Sequence, residues 1–229
     1  MRRVVLMGPP GAGKGTQGTL LAKRWGVPHV ASGAILRRAL ADPASSGGAL
    51  AHAAEVIKGG GFVTNEVANA IVFRELGKPT ARRGFVLDGY PRDVAQAEAL
   101  EDYLAAGRRE LHAVVALQSD EEILIARLAG RLTCPQCGAT YHVQSAPPAR
   151  EGVCDDCGAR LIVREDDEPE SIRTRLALYA EKTEPLTAFY ATRGLLRPVD
   201  AAGTEDDVAK RVLAAVEAPV GASRIGGRA

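Results

Sequence analysis

Hydrophobic positions along this chain switch between runs and helical spacings, and the switches lay out its elements. An apolar run at residues 3–7 predicts a strand, and Leu20, Leu21 and Trp25 recur at helical spacing across residues 17–25. Residues 27–31 predict a short second strand, and residues 32–40 a helix with Ser32 as its N-cap. Residues 42–48 are a loop by composition, residues 49–58 are predicted helical, and Gly59, Gly60 and Gly61 stop that helix. Thr64 is the predicted cap of a helix with Val67, Ile71, Val72 and Leu76 on one face. Residues 84–88 form an apolar run ending in an acid, and residues 111–117 are almost wholly apolar, as expected of a central strand in a parallel sheet. Capping boxes are expected at Asp93 with Gln96, Ser119 with Glu122, and Asp167 with Glu170, each opening a helix, the last spanning residues 168–181. A further helix begins near Pro185, residues 195–199 make a last strand, and Thr204 with Asp207 opens a final helix to about Ala218. Residues 219–229 are expected to be a disordered tail, and no internal repeat is visible.

The first strand-turn-helix carries chemistry. Gly8, Gly13 and Lys14 satisfy the pattern G-x-x-x-x-G-K, in which glycines let successive backbone N–H groups converge on phosphate. The helix behind the turn adds its free N–H groups and positive dipole end, and Lys14 adds a mobile point charge. Gly15 stands where a hydroxyl residue is usual and Thr16 follows one position later, so contact with magnesium is expected to run partly through water. Gly13, Gly15 and Gly18 also spell G-x-G-x-x-G, but they fall inside the predicted helix, and residues 27–31 end without the acid that a dinucleotide ribose requires.

Asp88 ends its apolar run where a carboxylate holds magnesium or its waters in nucleotide-binding sheets. Gly89 lets a ligand approach the backbone, Pro91 fixes the turn and Arg92 offers a two-pronged fork for phosphate. Gln96 is either a helix-capping partner or a ligand contact. Arg127 and Arg131, four apart on one predicted helix face, repel each other on an isolated helix, so their pairing suggests an anion they both serve, with a solvated face as the alternative. Arg173 and Arg175 occupy early turns of their helix, the end at which cations are disfavoured, which hints at a bound anion. Arg37 taken alone is an ordinary solvated helix arginine.

All four cysteines fall in two C-x-x-C pairs, Cys134 with Cys137 and Cys154 with Cys157, separated by sixteen residues. That spacing fits a structural zinc ribbon, over residues 133–163, with Gly138 and Gly158 turning each knuckle. Four thiolates close a tetrahedral site, so the metal is structural; the sequence leaves iron as an alternative to zinc. His142 is surplus to such a ligand set and is expected to pack like any other side chain.

With 229 residues, 46% of them hydrophobic, the chain can bury a full core. A net charge of +1 gives no general attraction to nucleic acid or an anionic membrane, and aromatics at 4% leave no base-stacking platform. The apolar run before the first glycine is too short for a signal peptide and no segment approaches membrane-spanning length, so a cytoplasmic protein is expected.

Residues 8–16 (Gly-Pro-Pro-Gly-Ala-Gly-Lys-Gly-Thr), Ser32-Gly33 with Leu36-Arg37, Asp88-Gly89-Tyr90-Pro91-Arg92 with Gln96, and Gly130-Arg131 before the cysteine insert together resemble an adenylate kinase of the long form with a zinc-binding lid. The resemblance runs from about Arg2 to Glu217. It implies an α/β, P-loop NTPase-like fold, a five-stranded parallel sheet with helices on both faces and a small zinc-ribbon lid insert. It divides the chain into a core (residues 1–31, 64–132 and 164–218), an NMP-binding subdomain (32–63) and a lid (133–163). It implies a monomer that moves a phosphoryl group reversibly between magnesium-bound ATP and AMP to give two ADP, with nucleotides and no nucleic acid or membrane as partners. By position, Gly11, Ala12, Gly13, Lys14, Gly15 and Thr16 would hold ATP together with Arg127 and Arg131, and Asp88 with Thr16 would hold magnesium through water. Ser32, Arg37, Val63, Gly89, Arg92, Gln96, Arg164 and Arg175 would hold AMP. Lys14, Arg92, Arg127, Arg131, Arg164 and Arg175 would be catalytic, whereas Arg173 has no matching role. The sequence departs from the family pattern at Ala34, where an acid is frequent, in the long 42–48 loop, and at Gly18, which weakens its helix by about 1 kcal/mol relative to alanine. A CMP or UMP kinase is the nearest alternative, with Gln96 favouring adenine, and a nucleotide-gated binding module using the ribbon is a more distant one.

Overall fold

A computed structural model describes residues 2–41, 56–59 and 61–218. The predicted loop at 42–48, most of the 49–58 helix and the tail at 219–229 lie outside the described residues.

Five strands form one parallel sheet in the order β2-β3-β1-β4-β7, from β1 (Arg2–Met7), β2 (His29–Ala31), β3 (Gly84–Asp88), β4 (Ala113–Gln118) and β7 (Leu196–Asp200). β1 lies at the centre, with Leu6 beside Asp88 of β3 on one side and Val115 of β4 on the other. Its side chains alternate between two cores, which is why the run is apolar throughout. Val5 and Met7 pack beneath α3 (Asn65–Leu76), α4 (Val94–Ala106) and α7 (Leu186–Thr192), whereas Val4 and Leu6 pack beneath α1 (Lys14–Trp25), α5 (Glu121–Ala129) and α8 (Glu205–Glu217). The expected fold class is the observed one.

Because all five strands are parallel, their C-terminal ends share one edge. There β1 runs into the glycine loop, β2 passes directly into α2 (Ser32–Ala41), and β3 ends on Asp88. This is the edge at which open α/β sheets bind ligands.

The insert forms its own small unit. β5 (Arg131–Thr133) and β6 (Thr140–His142) make an antiparallel pair, Thr133 bridges to Ile162, and Cys134, Cys154 and Leu161 form a third core. The chain returns through a short 3-10 turn (Glu165–Asp167) into α6 (Pro169–Leu178), which runs on as a π turn over Tyr179–Thr183. Residues 56–59 touch this return: Lys58 pairs with Glu165 at 3.5 Å, and Ser171 Oγ donates to the Lys58 carbonyl at 3.1 Å.

Three caps differ from expectation. Asp120 rather than Ser119 is the N-cap of α5, leaving Ser119 Oγ buried without a partner. Glu168 is the N-cap of α6, because Asp167 turns inward toward arginines. Thr64 occupies its N-cap position, its carbonyl accepting from Ala68 N–H at 3.0 Å, but its side chain accepts no backbone hydrogen bond. The caps at Asp93 and Thr204 form as expected, each accepting from the backbone N–H three residues on, at 2.8 Å and 3.3 Å.

Candidate functional site

The glycine loop meets α1 at its N-cap, Gly13, whose φ of 87° lies in the left-handed region. Gly11 has a φ of 85°, and a Cβ there would stand 2.8 Å from the Leu124 carbonyl, so the loop lies flat against α5 only as glycine. Lys14 Nζ donates to the carbonyls of Gly8 at 2.7 Å and Pro9 at 2.9 Å, folding back over its own loop. Burial, with Arg92, Arg175 and Arg131 close by, pulls its ammonium down to about 8 even though Asp88 opposes the shift. A buried cation crowded by other cations has much to gain from a polyanion.

Asp88 stands opposite. Burial alone would raise its carboxyl, but His29, Lys14 and Arg92 outweigh burial and hold it below the ordinary aspartate value. Its Oδ2 lies 3.7 Å from the point where a Cβ on Gly15 would sit, so an ionised oxygen faces the beginning of α1 beside Thr16. A carboxylate kept anionic at the loop mouth fits the hydration shell of a hard divalent cation.

Beside the loop opens a cleft of about 690 Å³ including its mouth. Ser32, Arg37, Val63, Gly89, Arg92, Gln96, Arg164 and Arg175, all eight residues proposed from sequence for AMP, line it. Gln96 is both cap and wall: its N–H meets Asp93 Oδ1, its Oε1 accepts from Arg92 N at 2.8 Å and its Nε2 donates to Asn65 Oδ1 at 2.8 Å. One N–H and one lone pair of the amide remain. Arg92 is tied further by Nε to the Gly89 carbonyl at 2.9 Å and by its own carbonyl to Thr183 Oγ1 at 2.8 Å.

The remaining arginines are held by two buried acids that sequence reasoning had not placed in the site. Arg131 Nε donates to Asp167 Oδ2 at 2.7 Å, with a second contact from Nη2 to Oδ1. Arg175 Nη1 reaches Asp167 Oδ1 at 2.8 Å and the Asp166 carbonyl at 2.6 Å, while Arg164 Nε donates to Asp166 Oδ1 at 2.8 Å. Three guanidinium groups thus share two carboxylates. Burial and mutual repulsion pull Arg37 down to about 9 and Arg92 and Arg131 to about 10. The sequence did carry a signal for the acids, since Asp166 and Asp167 follow Arg164 at once, but a helix-cap assignment absorbed it.

Arg127 and Arg131 do not share a helix face. α5 ends at Ala129, Arg131 opens β5, and Arg127 Nη2 instead donates to the Ala201 carbonyl at 2.9 Å, on the loop after β7. Gly130 breaks the helix, and a Cβ there would fall 2.4 Å from His142 Nε2. His142 packs in the hairpin as expected, its Nδ1 accepting from the backbone of Gln144 and Ser145.

In the insert the four sulfurs lie within 4.8 Å of one another, none in a disulfide. Cys134 and Cys157 are 3.4 Å apart and Cys137 and Cys154 3.5 Å, close to the roughly 3.8 Å across a tetrahedral thiolate site with bonds of about 2.3 Å. The two knuckles match: Gly138 N–H closes on the Cys134 carbonyl at 3.0 Å and Gly158 N–H on that of Cys154 at 2.9 Å. The Tyr141 hydroxyl, with backbone N–H groups of Cys157 and Asp156, draws the Cys154 thiol down to about 6. The cluster can hold a metal ion.

Comparison with known proteins agrees with this geometry. The family model described as adenylate kinase matches residues 6–195. An adenylate kinase of Anaeromyxobacter sp. strain Fw109-5 is 46% identical over 215 residues, covering 92% of this chain and 99% of the relative. One from Caldanaerobacter subterraneus subsp. tengcongensis is 45% identical over 206 residues (90% and 92%), and one from Pelobacter propionicus 46% over 197 residues (86% and 88%). With a phosphate-type loop, an arginine-lined cleft beside it and this similarity along nearly its whole length, the chain belongs to the adenylate kinase family.

Proposed function

We propose that the chain transfers the γ-phosphoryl group of magnesium-bound ATP to AMP, reversibly, giving two ADP. What carries the reading is a convergence of cations: Arg37, Arg92, Arg164 and Arg175 line one cleft, and Lys14 and Arg131 stand near enough that each of the shifted cations feels several of the others. Two polyanions oppose each other's approach in water, and this cation density removes that opposition. The attacking phosphate oxygen is already ionised, so no general base is needed and positioning with charge neutralisation suffices. Lys14 and the N–H groups of residues 11–16 bind the ATP phosphates, together with Arg127 and Arg131. Arg37, Arg92, Arg164 and Arg175 hold the AMP phosphate, and Ser32, Val63, Gly89 and Gln96 its base. The free N–H and lone pair of Gln96 match the donor-acceptor edge of adenine. Magnesium, when bound with ATP, supplies further neutralisation, and Asp88 and Thr16 hold its waters.

The working parts are a core (residues 1–31, 64–132 and 164–218), an NMP-binding arm (32–63) and a lid (133–163). Cys134, Cys137, Cys154 and Cys157 hold structural zinc in the lid. The lid's closure excludes water that would otherwise take the phosphoryl group. Reduced, undisulfided cysteines suit a cytoplasmic protein, and among the described residues no helix is long and apolar enough to cross a membrane. We place it there as a monomer that acts on free nucleotides rather than nucleic acid.

A coupled assay with ATP and AMP, CMP or UMP tests the reading: rapid ADP formation with AMP alone is expected. Lys14→Met is expected to cut turnover by about a thousandfold or more at unchanged melting temperature. Normal turnover by that variant, or a preference for a pyrimidine monophosphate, overturns it.

A further inference from the structure

Among the described residues, Arg131, Arg164 and Arg175 all have carboxylate partners, whereas Arg37 and Arg92 have none within ion-pair distance. Arg92 is the more constrained of the two. Its Nε is taken by the Gly89 carbonyl, and its Nη1 and Nη2 donate to no described protein group. What lies against the guanidinium is an aromatic face: Arg92 Cζ stands 4.5 Å from the centroid of the Phe62 ring. Phe62 comes from the segment before α3, lines the same cleft and is half-buried there.

The choice of partner has a physical consequence. A carboxylate would steady a buried guanidinium, but it would occupy in-plane N–H donors and cancel the charge that a phosphate needs. An aromatic ring attracts the same cation through its negative face and leaves the charge and the in-plane donors available. Phe62 therefore supplies attraction without neutralisation, at one of the two cleft arginines that have no acid.

We propose that Phe62 is a positioning residue for the reaction, holding the Arg92 guanidinium plane so that Nη1 and Nη2 stay free for the monophosphate's phosphate group. Because Phe62 belongs to the arm and Arg92 to the core, the contact also ties arm position to the readiness of that arginine. The inference rests on the reading of the cleft as the AMP site.

The test compares Phe62→Leu, Phe62→Tyr and Arg92→Met, measuring KM for AMP and ATP and equilibrium binding of AMP and of adenosine, which lacks the phosphate. Phe62→Leu is expected to weaken AMP by about fivefold and to leave adenosine affinity and KM for ATP within about twofold, while Phe62→Tyr restores AMP binding. On top of Arg92→Met, Phe62→Leu is expected to add no further loss. Phe62→Met, similar in bulk but without a ring face, carries the test if the leucine variant folds poorly. Unchanged AMP binding in Phe62→Leu, equal weakening of AMP and adenosine, or a fully additive loss with Arg92→Met each overturns the positioning role. Normal AMP binding by Arg92→Met would instead overturn the assignment of the cleft.

Discussion

At Gly18 local preference and tertiary packing disagree, and packing wins. A glycine inside α1 costs about 1 kcal/mol against alanine on helix propensity alone. Yet Gly18 is buried, and a Cβ built on it would fall 2.4 Å from Nε2 of His29 on β2. Retreat would move the ring away from Thr19 Oγ1, 3.3 Å from its Nδ1, while its Nε2 is buried without a hydrogen bond, 3.8 Å from Asp88 Oδ2. Gly18→Ala is therefore expected to destabilise the protein by about 1–3 kcal/mol in urea unfolding, the reverse of the propensity prediction. In a His29→Ala background the same change should become neutral or stabilising; equal losses in both backgrounds would rule out the clash. The sequence exposed Gly18 as a departure but could not expose its reason, because His29 is a neighbour only after β2 has been laid beside β3. The same limit hid Asp166 and Asp167: which side of the chain they face is decided by arginines that arrive from β5 and α6.

Elements were legible wherever one rule decides them. The apolar runs of β1, β3 and β4 had to be buried strands, and their order of appearance between helices made the sheet parallel. The cysteine spacing likewise announced the ribbon before any coordinate. Boundaries depending on competition between caps were harder to read: Ser119 and Asp120 both suit an N-cap, and only the backbone path at the end of β4 selects the second. Arg131 was misplaced on a helix for the same reason, since the periodicity continues through Gly130 although the helix does not. The ribbon also makes a prediction at its own scale. Its third core contains two of the cysteines themselves with Leu161, and Val143, Ile162 and Val163 stay exposed, so little apolar burial holds it without metal. Chelation is then expected to release about one zinc per chain, to make four thiols reactive, and to lower the first melting transition while the parallel sheet melts later. Metal-free protein with protected thiols and unchanged melting would contradict this.

Across the whole molecule the charge is almost balanced at +1, so the cleft is a matter of arrangement and not of excess. Asp166 and Asp167 make the arrangement possible. Burial alone would raise the Asp166 carboxyl, but Arg164, Arg175 and Arg37 overcome that and hold it far below its ordinary value of 3.8. An acid whose folded value is depressed adds stability at every pH above its unfolded value and loses that contribution as pH falls toward the folded one. Asp166→Asn is thus expected to cost about 3 kcal/mol at neutral pH, because Arg164 keeps a buried charge without its counter-ion. The gap between wild type and variant should narrow steadily as pH drops below about 4, where the unfolded chain of the wild type begins to take up the proton that the folded chain refuses. Urea titrations at pH 7, 5 and 3 measure the gap directly. A difference that stays constant across that range would mean that Asp166 acts through packing alone, and the two carboxylates would no longer explain how so many cations come to share one cleft.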